Sequence, residues 1–587
     1  MSAETGDLIS RIYSNFRGVD FRGEEVNLSR SPDSVNMWKD YCETESIRTR
    51  PEKRRYTASF SGDQYVPVHG VFFFKGKMFV HRGGSLTYGN IGNAPTEILY
   101  APMNSAPSMF FTYGDNLYIM DGKNYLVYDG IEDTVREVDP YVPTTSIGRK
   151  PAGGGTIYED VNLLSDRRIN TFLADGESKE YYLDAICDLF DYNDMVVKVN
   201  GAVMTRDIDY TRLTSESGDL VGVTFVTAPA APLTDGQDNV SIEYTRTVAG
   251  YRDKILGCTL LQVFDNRVFV SGNPNYPNMM WHCSLNNPGY FSDLDYYQEG
   301  MDSAQIKGLV AGNNALWVFR EPSDNNTNVF YHTPITDEEY GKIYPSVHSS
   351  IAVGCIGKAI NFNDDIVFFS RRGMEGFSGD VTTEQAVSHR SSMVDRKLLA
   401  ERDYQGMRLE EWEGYLLVII ENKIYLADSR ARLTNVDHFE YEWFYWEFDK
   451  NIEYAKVYKS TLYIFDDDGW IYTINAADLY DEDTADLFVP CASHWVTPKD
   501  KFGAPHKLKT TNKRGCVVEA TGDVSLSVKT EGTDFEPIGS YEDITDYFVS
   551  RIKRKKWKDI QLKFSSETRF SLETATLEAF VGGYIKR

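Results

Sequence analysis

Residues 359–380 read AINFNDDIVFFSRRGMEGFSGD, in which runs of β-branched and aromatic residues are separated by turns containing Asn, Asp and Gly. Short apolar runs bounded by these residues are strand–turn–strand signals. Similar units recur at 68–84, 108–130, 260–274, 306–321, 406–429 and 455–478. Because the repeats show no helical periodicity, they predict radially repeated sheets, the architecture of a β-propeller.

Two regions depart from the repeat. A linker rich in Pro, Gly and Thr at 143–157 leads into short alternating strands that continue to about residue 250. Such strands, with turn residues between them, are typical of a small β-sandwich. Apolar residues alternate again at 524–528 and 560–564, which predicts a second sandwich at the end of the chain.

The predicted fold is therefore all-β, with a β-propeller, an inserted β-sandwich and a C-terminal β-sandwich. The first 60 residues are polar and irregular, and we interpret them as an N-terminal assembly arm. The predicted divisions are 1–60 for the arm, 61–142 for the first blades, 143–250 for the insertion, 251–487 for the remaining blades and 488–587 for the terminal sandwich.

The chain is acidic, with 61 basic and 87 acidic residues and a formal net charge of −26. This charge argues against a protein that wraps nucleic acid, because phosphate contacts need Lys and Arg. The 7 cysteines are scattered without metal-ligand spacing, which predicts reduced and mostly buried thiols of a protein made in a cytoplasm. The sequence shows no secretory signal at its start and no apolar run long enough for a membrane span.

Motifs that carry catalysis or bind metals are missing from the sequence. There is no nucleophile elbow, zinc-protease motif, phosphate loop or dinucleotide fingerprint. Asp466, Asp467 and Asp468 lie together, but they lack the alternate oxygen ligands and distal Glu of a calcium loop. We therefore predict no enzyme activity, no metal and no cofactor.

One basic segment interrupts the acidic chain near its end. Alternation along a strand would place its cations on both faces, around a single aromatic residue. Such a strip can meet phosphate, but in an acidic protein we favour contact with a neighbouring subunit. The assembly-contact candidates are Arg551, Lys553, Lys555, Lys556, Trp557 and Lys558.

The opening of the chain carries spaced motifs, namely Gly18-Val19-Asp20, Ser31-Pro32-Asp33, Asn36-Met37 and Arg50-Pro51. Together with 265–297, 354–379 and the C-terminal region, they resemble the tail nozzle or packaged-DNA stabilisation (plug) proteins of tailed bacteriophages. Glu52 stands where that family usually has Gly.

The resemblance implies a virion structural protein of the head–tail connector, assembled in the host cytoplasm and located in the phage tail. It implies a homo-oligomeric ring, a hexamer, below the portal and adaptor. The ring would retain packaged DNA and gate its ejection, and the DNA would pass without sequence-specific binding. An acidic lumen suits this task, because it repels phosphates.

Long inter-blade segments at 272–291 and 323–350 are the predicted channel gate, since long loops often carry function. The gate candidates are Asn273, Tyr276, Met279, Met280, Asn325, Asn326 and Tyr340. Two alternatives stay open: a receptor- or glycan-binding tail component, and a propeller glycoside hydrolase, whose carboxylate pair cannot be chosen from the sequence.

Overall fold

Strands make up nearly all of the regular structure. The computed structural model describes residues 7–40, 46–56, 66–324, 327–338, 341–377, 386–435, 438–477, 488–552 and 556–584. Within these ranges, helix is confined to Tyr251–Leu256, Asp395–Leu398 and the 3-10 turn Leu189–Asp194. None of these helices is long and apolar enough to cross a membrane. The all-β prediction is confirmed.

Four-stranded sheets recur along the chain, and in each one the strands neighbour one another in chain order. The strands are Val68–Phe74, Lys77–Arg82, Ser85–Asn90 and Glu97–Tyr100; Met109–Tyr113, Asn116–Met120, Tyr125–Asp129 and Thr134–Glu137; Leu260–Phe264, Arg267–Ser271, Met279–His282 and Tyr296–Gln298; Ile306–Gly312, Ala315–Arg320, Val329–His332 and Ser346–His348; and Ala359–Phe362, Asp365–Ser370, Gly373–Phe377 and Val387–His389. The predicted hairpins are therefore real elements of the fold.

Turn chemistry explains why these hairpins form. In the turn between Ala359–Phe362 and Asp365–Ser370, Asn363 and Asp364 have φ of 49° and 63°. Two successive residues with positive φ make a turn whose twist matches that of the flanking strands, and Asn and Asp tolerate this conformation well. The local sequence thus sets the register of the hairpin.

The chain divides into two compact units. The first comprises Met1–Pro102, Phe319–Val329 and His348–Arg587, and its largest sheet has 13 strands. The path of this sheet runs Arg408–Trp412, Tyr415–Ile420, Lys423–Asn435, His438–Glu447, Met37–Trp38, Ile47–Thr49, Phe570–Tyr584, Lys507–Thr530, Ile560–Ser566 and Ser493–Val496; Asp7–Tyr13 pairs with Phe570–Tyr584, and Glu536–Ile544 and Tyr547–Ser550 pair with Lys507–Thr530. The C-terminal strands therefore share one sheet with strands from the N-terminal region.

The last hairpin repeat is completed by a strand from the start of the chain. Ile452–Tyr458, Thr461–Asp466 and Ile471–Asn475 pair in order, and Lys53–Arg55 pairs with Ile471–Asn475. Phe488–Val489 then pairs with Lys53–Arg55. The N-terminal strand thus lies between two strands of the C-terminal half.

Aromatic rings connect this last repeat to the first hairpins. Phe73 lies 4.6 Å from Tyr458 and 4.7 Å from Tyr463, measured between ring centroids. Val71, Val80 and other apolar residues of 68–100 share a buried cluster with residues of the 452–475 strands. Offset aromatic pairs of this kind add stability beyond the apolar area that they bury.

Tryptophans form the centre of the main core of the first unit. Trp38, Trp412 and Trp446 are each at most 1% exposed, and their rings lie 5.4–6.0 Å apart. Each comes from a different part of the chain, so the core itself holds the N-terminal segment in place.

The second unit comprises Met103–Val318 and Phe330–Val347 and contains the predicted insertion. One sheet has the strands Thr156–Ile157, Thr144–Arg149, Arg167–Phe172, Val240–Thr245, Val196–Val199 and Ala202–Val203, and the other has Glu180–Cys187, Leu220–Phe225 and Tyr210–Thr214. Residues of both sheets share one buried cluster, in which the Tyr181 ring lies 5.3 Å from Phe172 and 5.1 Å from Phe225. The two sheets therefore pack face to face.

Short pairs of strands complete the fold: Gly18–Val19 is parallel to Arg30–Ser31, and Ile335–Asp337 is antiparallel to Gly341–Ile343. The six cysteines in the described part of the chain are buried, as predicted. Cys42 lies outside the described residues.

Candidate functional site: an N-terminal clamp

The N-terminal motifs that carry the family resemblance lie on the strands of the chain's own C-terminal half. We define the N-terminal clamp as Gly18, Ser31, Asn36, Met37 and Arg50. All five are buried, and each contacts the strand 438–447, the segment 492–496 or another clamp residue. Over its described residues, the predicted assembly arm is thus built into the sheets of its own unit.

Gly18 allows the closest backbone approach in the clamp. A Cβ atom at this position would lie 2.4 Å from the carbonyl oxygen of Trp443, a distance that no real side chain tolerates. Gly18 is also paired with Arg30 in the short parallel ladder. Only glycine therefore fits at the first motif position.

Ser31 and Asn36 bind backbone groups of the segment 492–496. The Ser31 hydroxyl donates to the Val496 carbonyl at 2.7 Å and accepts from the Val496 N–H at 3.2 Å. Asn36 has a positive φ of 58°, and its side-chain amide donates to the Ala492 carbonyl at 2.8 Å. Because buried polar groups are costly when unpaired, both residues stabilise the joint.

A buried ion pair lies beside the clamp. The Arg30 guanidinium donates twice to Glu442, at 3.1 Å and 2.6 Å, and both side chains are at most 10% exposed. This bidentate geometry fixes both distance and orientation. It joins the second short strand to the strand His438–Glu447.

Arg50 is the buried cation of the clamp and is 4% exposed. Its Nε donates to Asn36 Oδ1 at 3.1 Å, its Nη1 donates to the Pro51 carbonyl at 3.0 Å, and its guanidinium lies 4.4 Å from the Phe448 ring. The negative charges of Asp449 and Glu52 also act on it. Burial lowers the pKa of the Arg50 guanidinium.

The first predicted gate segment forms part of a sheet. Asn273 is 1% exposed, and its side-chain amide donates to the carbonyls of Asp253 and Lys254 at the end of the helix Tyr251–Leu256. Tyr276 packs edge-on against Trp281 at 5.7 Å. Met279 and Met280 lie on the strand Met279–His282, and Met280 is fully buried. The structure thus brings these four residues together, while their role in gating stays a prediction.

The three candidates of the second predicted gate segment, Asn325, Asn326 and Tyr340, lie outside the described residues. Within the described part of this segment, His332 is fixed by a buried carboxylate. Nε2 of His332 lies 2.9 Å from Glu299 Oε1, and both side chains are fully buried. The Ser346 hydroxyl donates to the same carboxylate at 2.6 Å.

The basic segment differs from the predicted strand. Tyr547–Ser550 ends before it, Ile560–Ser566 begins after it, and Arg551, Lys556 and Lys558 are exposed without strand structure. The alternation argument is therefore wrong for these described positions, because it requires an extended, paired backbone. Lys553 and Lys555 lie outside the described residues.

Trp557 anchors the basic segment in the core. Its side chain is fully buried, and its indole N–H donates a hydrogen bond to Thr511 Oγ1 at 3.1 Å. Its backbone exchanges two hydrogen bonds with Lys509, and its ring packs against Phe502 at 5.2 Å. Any assembly role of Trp557 therefore acts through the position of the exposed Lys556 and Lys558.

Sequence reasoning missed a charged cluster in the first unit. Nε2 of His389 lies 2.5 Å from Asp395 Oδ2, and Nδ1 lies 3.3 Å from Glu375 Oε1. Burial opposes a charge on His389, but hydrogen bonds to Asp395 and Glu375 outweigh it and raise the pKa of His389 to about 9. The histidine is therefore a cation held between two carboxylates.

A second group of perturbed residues lines an open pocket of about 520 Å³ in the second unit, beside Arg267 and Tyr296. Burial raises the pKa of Asp295 to about 6, and burial lowers the pKa of His282 to about 4. His282 Nδ1 lies 3.9 Å from Asp295 Oδ2. A carboxyl group whose pKa is raised in this way can act in proton transfer.

No group of metal-ligating side chains occurs within the described ranges. Asp466, the first residue of the Asp triplet, is 4% exposed, and its carboxylate accepts from the N–H groups of Asp468 and Trp470. It therefore stabilises the hairpin turn.

Comparisons with known proteins give only weak structural similarities. No family model and no curated protein matches the chain. Among solved structures, BamB from Moraxella catarrhalis matches with 11% identity and a TM-score of 0.33, over 73% of this chain and 99% of BamB. Kluyveromyces lactis Hsv2 matches with 9% identity and a TM-score of 0.31, over 74% of this chain and 94% of Hsv2.

The computationally designed Ika8 protein matches with 10% identity and a TM-score of 0.31, over 72% of this chain and 99% of Ika8. These scores are too low to transfer either a detailed architecture or a function to this chain. The functional argument therefore rests on the residues themselves.

Proposed function

We propose that the chain is a virion structural protein, a subunit of a bacteriophage tail nozzle or plug ring that retains packaged DNA and gates its ejection. The N-terminal clamp carries this proposal. The residues by which the sequence resembles the nozzle family are the same residues that fix the N-terminal segment to the C-terminal strands. A protein that must withstand the pressure of packaged DNA needs both ends of its chain secured.

For the architecture, we propose that the hairpin repeats are blades of a β-propeller. Two observations support this interpretation. The repeats form sheets whose strands follow chain order, and Lys53–Arg55 supplies the next strand of the last repeat. Packing of Phe73 against Tyr458 connects the first and last repeats of the first unit. A strand exchanged in this way removes an exposed sheet edge.

The charge of the chain supports a channel through which DNA slides. At a net charge of −26, the surface repels phosphates at long range, so a genome would pass without adhering. In this proposal the segments 272–291 and 323–350 contribute the gate, and Arg551, Lys556 and Lys558 meet an acidic neighbouring subunit. The partners are further copies of the chain, the portal and the adaptor.

The pocket beside Asp295 favours a second candidate function, a glycan-binding or glycan-cleaving tail component. It combines the raised pKa of Asp295 with a half-exposed aromatic ring at Tyr296 and the planar cation of Arg267. Sugars are commonly held by an aromatic face and planar polar groups, and glycosidases use a carboxylic acid of raised pKa.

The decisive experiment is electron microscopy with mass measurement of the full chain, alone and mixed with portal–adaptor assemblies. A ring with a central channel that docks on the portal vertex is the expected result. A monomer that ignores portal assemblies would contradict the nozzle proposal. Polysaccharide turnover that disappears in Asp295→Asn would then establish the second candidate.

A further inference from the structure

A half-open pocket of about 280 Å³ borders the N-terminal clamp in the first unit. Three arginines line it, Arg48, Arg50 and Arg569, together with Trp38 and the hydroxyl-bearing residues Thr49, Thr521 and Ser571. Such a concentration of cations is unexpected in a chain with a net charge of −26.

Acidic residues near the pocket offset part of its positive charge. Arg48 is paired with Asp40, and Arg569 lies 3.3 Å from Glu52. Arg50 is 4% exposed, and the charges of Asp449 and Glu52 offset only part of the effect of burial, so the pKa of its guanidinium is still lowered. A buried charge that is only partly compensated is unfavourable, so an anion in the pocket would stabilise the charged form of Arg50.

A second polar group supports the same conclusion independently. Trp38 is 1% exposed, and its indole N–H has no hydrogen-bond acceptor among the described residues. A buried donor without an acceptor carries a free-energy penalty, which a ligand oxygen would remove. Trp38 thus contributes a donor without an acceptor to the lining of the pocket, which also includes the Arg50 guanidinium.

We propose that this pocket binds a small tetrahedral oxyanion, a phosphate group, through the guanidinium groups of Arg50 and Arg569 and the indole N–H of Trp38. Guanidinium groups present paired donors that match phosphate oxygens. The hydroxyls of Thr521 and Ser571, which lie 2.7 Å apart, provide further hydrogen-bonding groups in the lining.

The phosphate could come from solution or from a nucleic-acid backbone, and two properties favour the free ion. The cavity has the size of a small ligand, and the acidic surface repels a polyanion at long range. This proposal is independent of the nozzle function, because it concerns one unit of a single chain.

The test is calorimetric titration of the full chain with inorganic phosphate, at constant ionic strength against chloride. We expect one site per chain in the wild type. Arg569→Gln should weaken binding by at least about tenfold, since it removes a charge-assisted hydrogen bond. Trp38→Phe keeps the ring but removes the N–H, and should weaken binding by about threefold or more.

Arg55→Gln is the matched control, because Arg55 is exposed on the nearby strand Lys53–Arg55 and does not line the pocket. It should bind phosphate like the wild type. Arg569→Gln also removes the partner of the largely buried Glu52, so circular dichroism should verify that the variant is folded before titration. Absence of binding, or equal binding by wild type and Arg569→Gln, would overturn the proposal.

A competition arm distinguishes the sources of phosphate. Titration of phosphate in the presence of a short single-stranded oligonucleotide should give unchanged affinity. Displacement of phosphate by the oligonucleotide would overturn the assignment to a free ion, since it would place a nucleic-acid backbone in the pocket.

Discussion

The side-chain oxygen Oδ1 of Asn36 accepts two hydrogen bonds, one from Nε of Arg50 at 3.1 Å and one from the Glu447 N–H at 2.9 Å. A single side chain therefore joins two N-terminal motifs to a strand from the C-terminal half. Asn36 also has a φ of 58°, so this position requires both an amide side chain and a residue that tolerates positive φ.

Replacement of Asn36 should separate these two contributions. Asn36→Ala removes the buried hydrogen bonds and disfavours the backbone conformation, and should lower the free energy of unfolding by about 2–4 kcal/mol. Asn36→Gly loses the same hydrogen bonds but accepts the positive φ, so it should be about 1 kcal/mol less harmful. Chemical denaturation of both variants measures the difference, and equal losses would refute the conformational contribution.

A side chain at Gly18 should disrupt the clamp sterically. Gly18→Ala would place a Cβ against the Trp443 carbonyl, and overpacking of this kind costs about 1–3 kcal/mol. Gly23→Ala is the control, since a Cβ there would meet nothing within 4 Å. Thermal unfolding of the two variants should show a clear loss only for Gly18→Ala. Equal melting temperatures of the two variants would mean that the backbone at Trp443 can move away from a side chain at position 18, and would contradict this prediction.

His389 should make stability depend on pH. Its folded pKa of about 9 lies above its ordinary value of 6.5, so the protonated form stabilises the fold. The contribution, about 2–3 kcal/mol, is fully present below the unfolded pKa and is lost as pH rises through the folded pKa. Urea denaturation at about pH 6 and about pH 9.5 measures it.

His389→Gln should flatten this pH dependence, while His348→Gln, at an exposed histidine, should retain it. A wild-type protein equally stable at both pH values would contradict the proposed charge state of His389.

Asp295 should lower stability as pH rises in the same direction as His389, but over a more acidic interval. Its folded pKa of about 6 lies above the ordinary value of 3.8, because burial disfavours the carboxylate. Ionisation therefore destabilises the fold as pH rises through that interval. Asp295→Asn should raise the melting temperature above about pH 6 and change it little near pH 4. Stabilisation that is independent of pH would exclude ionisation as the cause.

The basic segment should matter for assembly but not for folding. Reversal of Arg551, Lys556 and Lys558 to Glu should change stability by less than about 0.5 kcal/mol, because all three are exposed. The same variant should bind portal assemblies more weakly, as measured by co-sedimentation.

Reversal of Lys123, Lys150 and Lys198, three exposed lysines elsewhere, makes the same change in net charge and is the matched control. It should leave binding unchanged. Equal weakening by both variants would indicate a general charge effect and contradict a specific contact.

Local features of the fold were accessible from the sequence. The hairpin around Asn363 and Asp364 follows from turn residues between apolar runs, because such pairing depends only on adjacent residues. The pairing of Lys53–Arg55 with Ile471–Asn475 was not accessible. Strands so far apart in sequence leave no local signal of which edge they join.

For the candidate sites, too, local motifs could be predicted from the sequence, whereas contacts between distant residues could not. The clamp motifs attracted attention as spaced residues, but their partners at Trp443 and Val496 became visible only in the fold. His389 gave no signal, because its charge depends on carboxylates contributed by a strand and a short helix. Trp557 was misplaced on a surface strip, since alternation has no meaning where the backbone is not a strand.

The pairing of the strand Lys53–Arg55 also determines when the last sheet can form during biosynthesis. The ribosome releases it early, yet its neighbours Ile471–Asn475 and Phe488–Val489 are made only after most of the chain has been translated. Because loop closure over such a separation is slow, the strand must wait with its backbone unpaired. Completion of the last sheet is therefore a late event, and truncated translation products cannot close it.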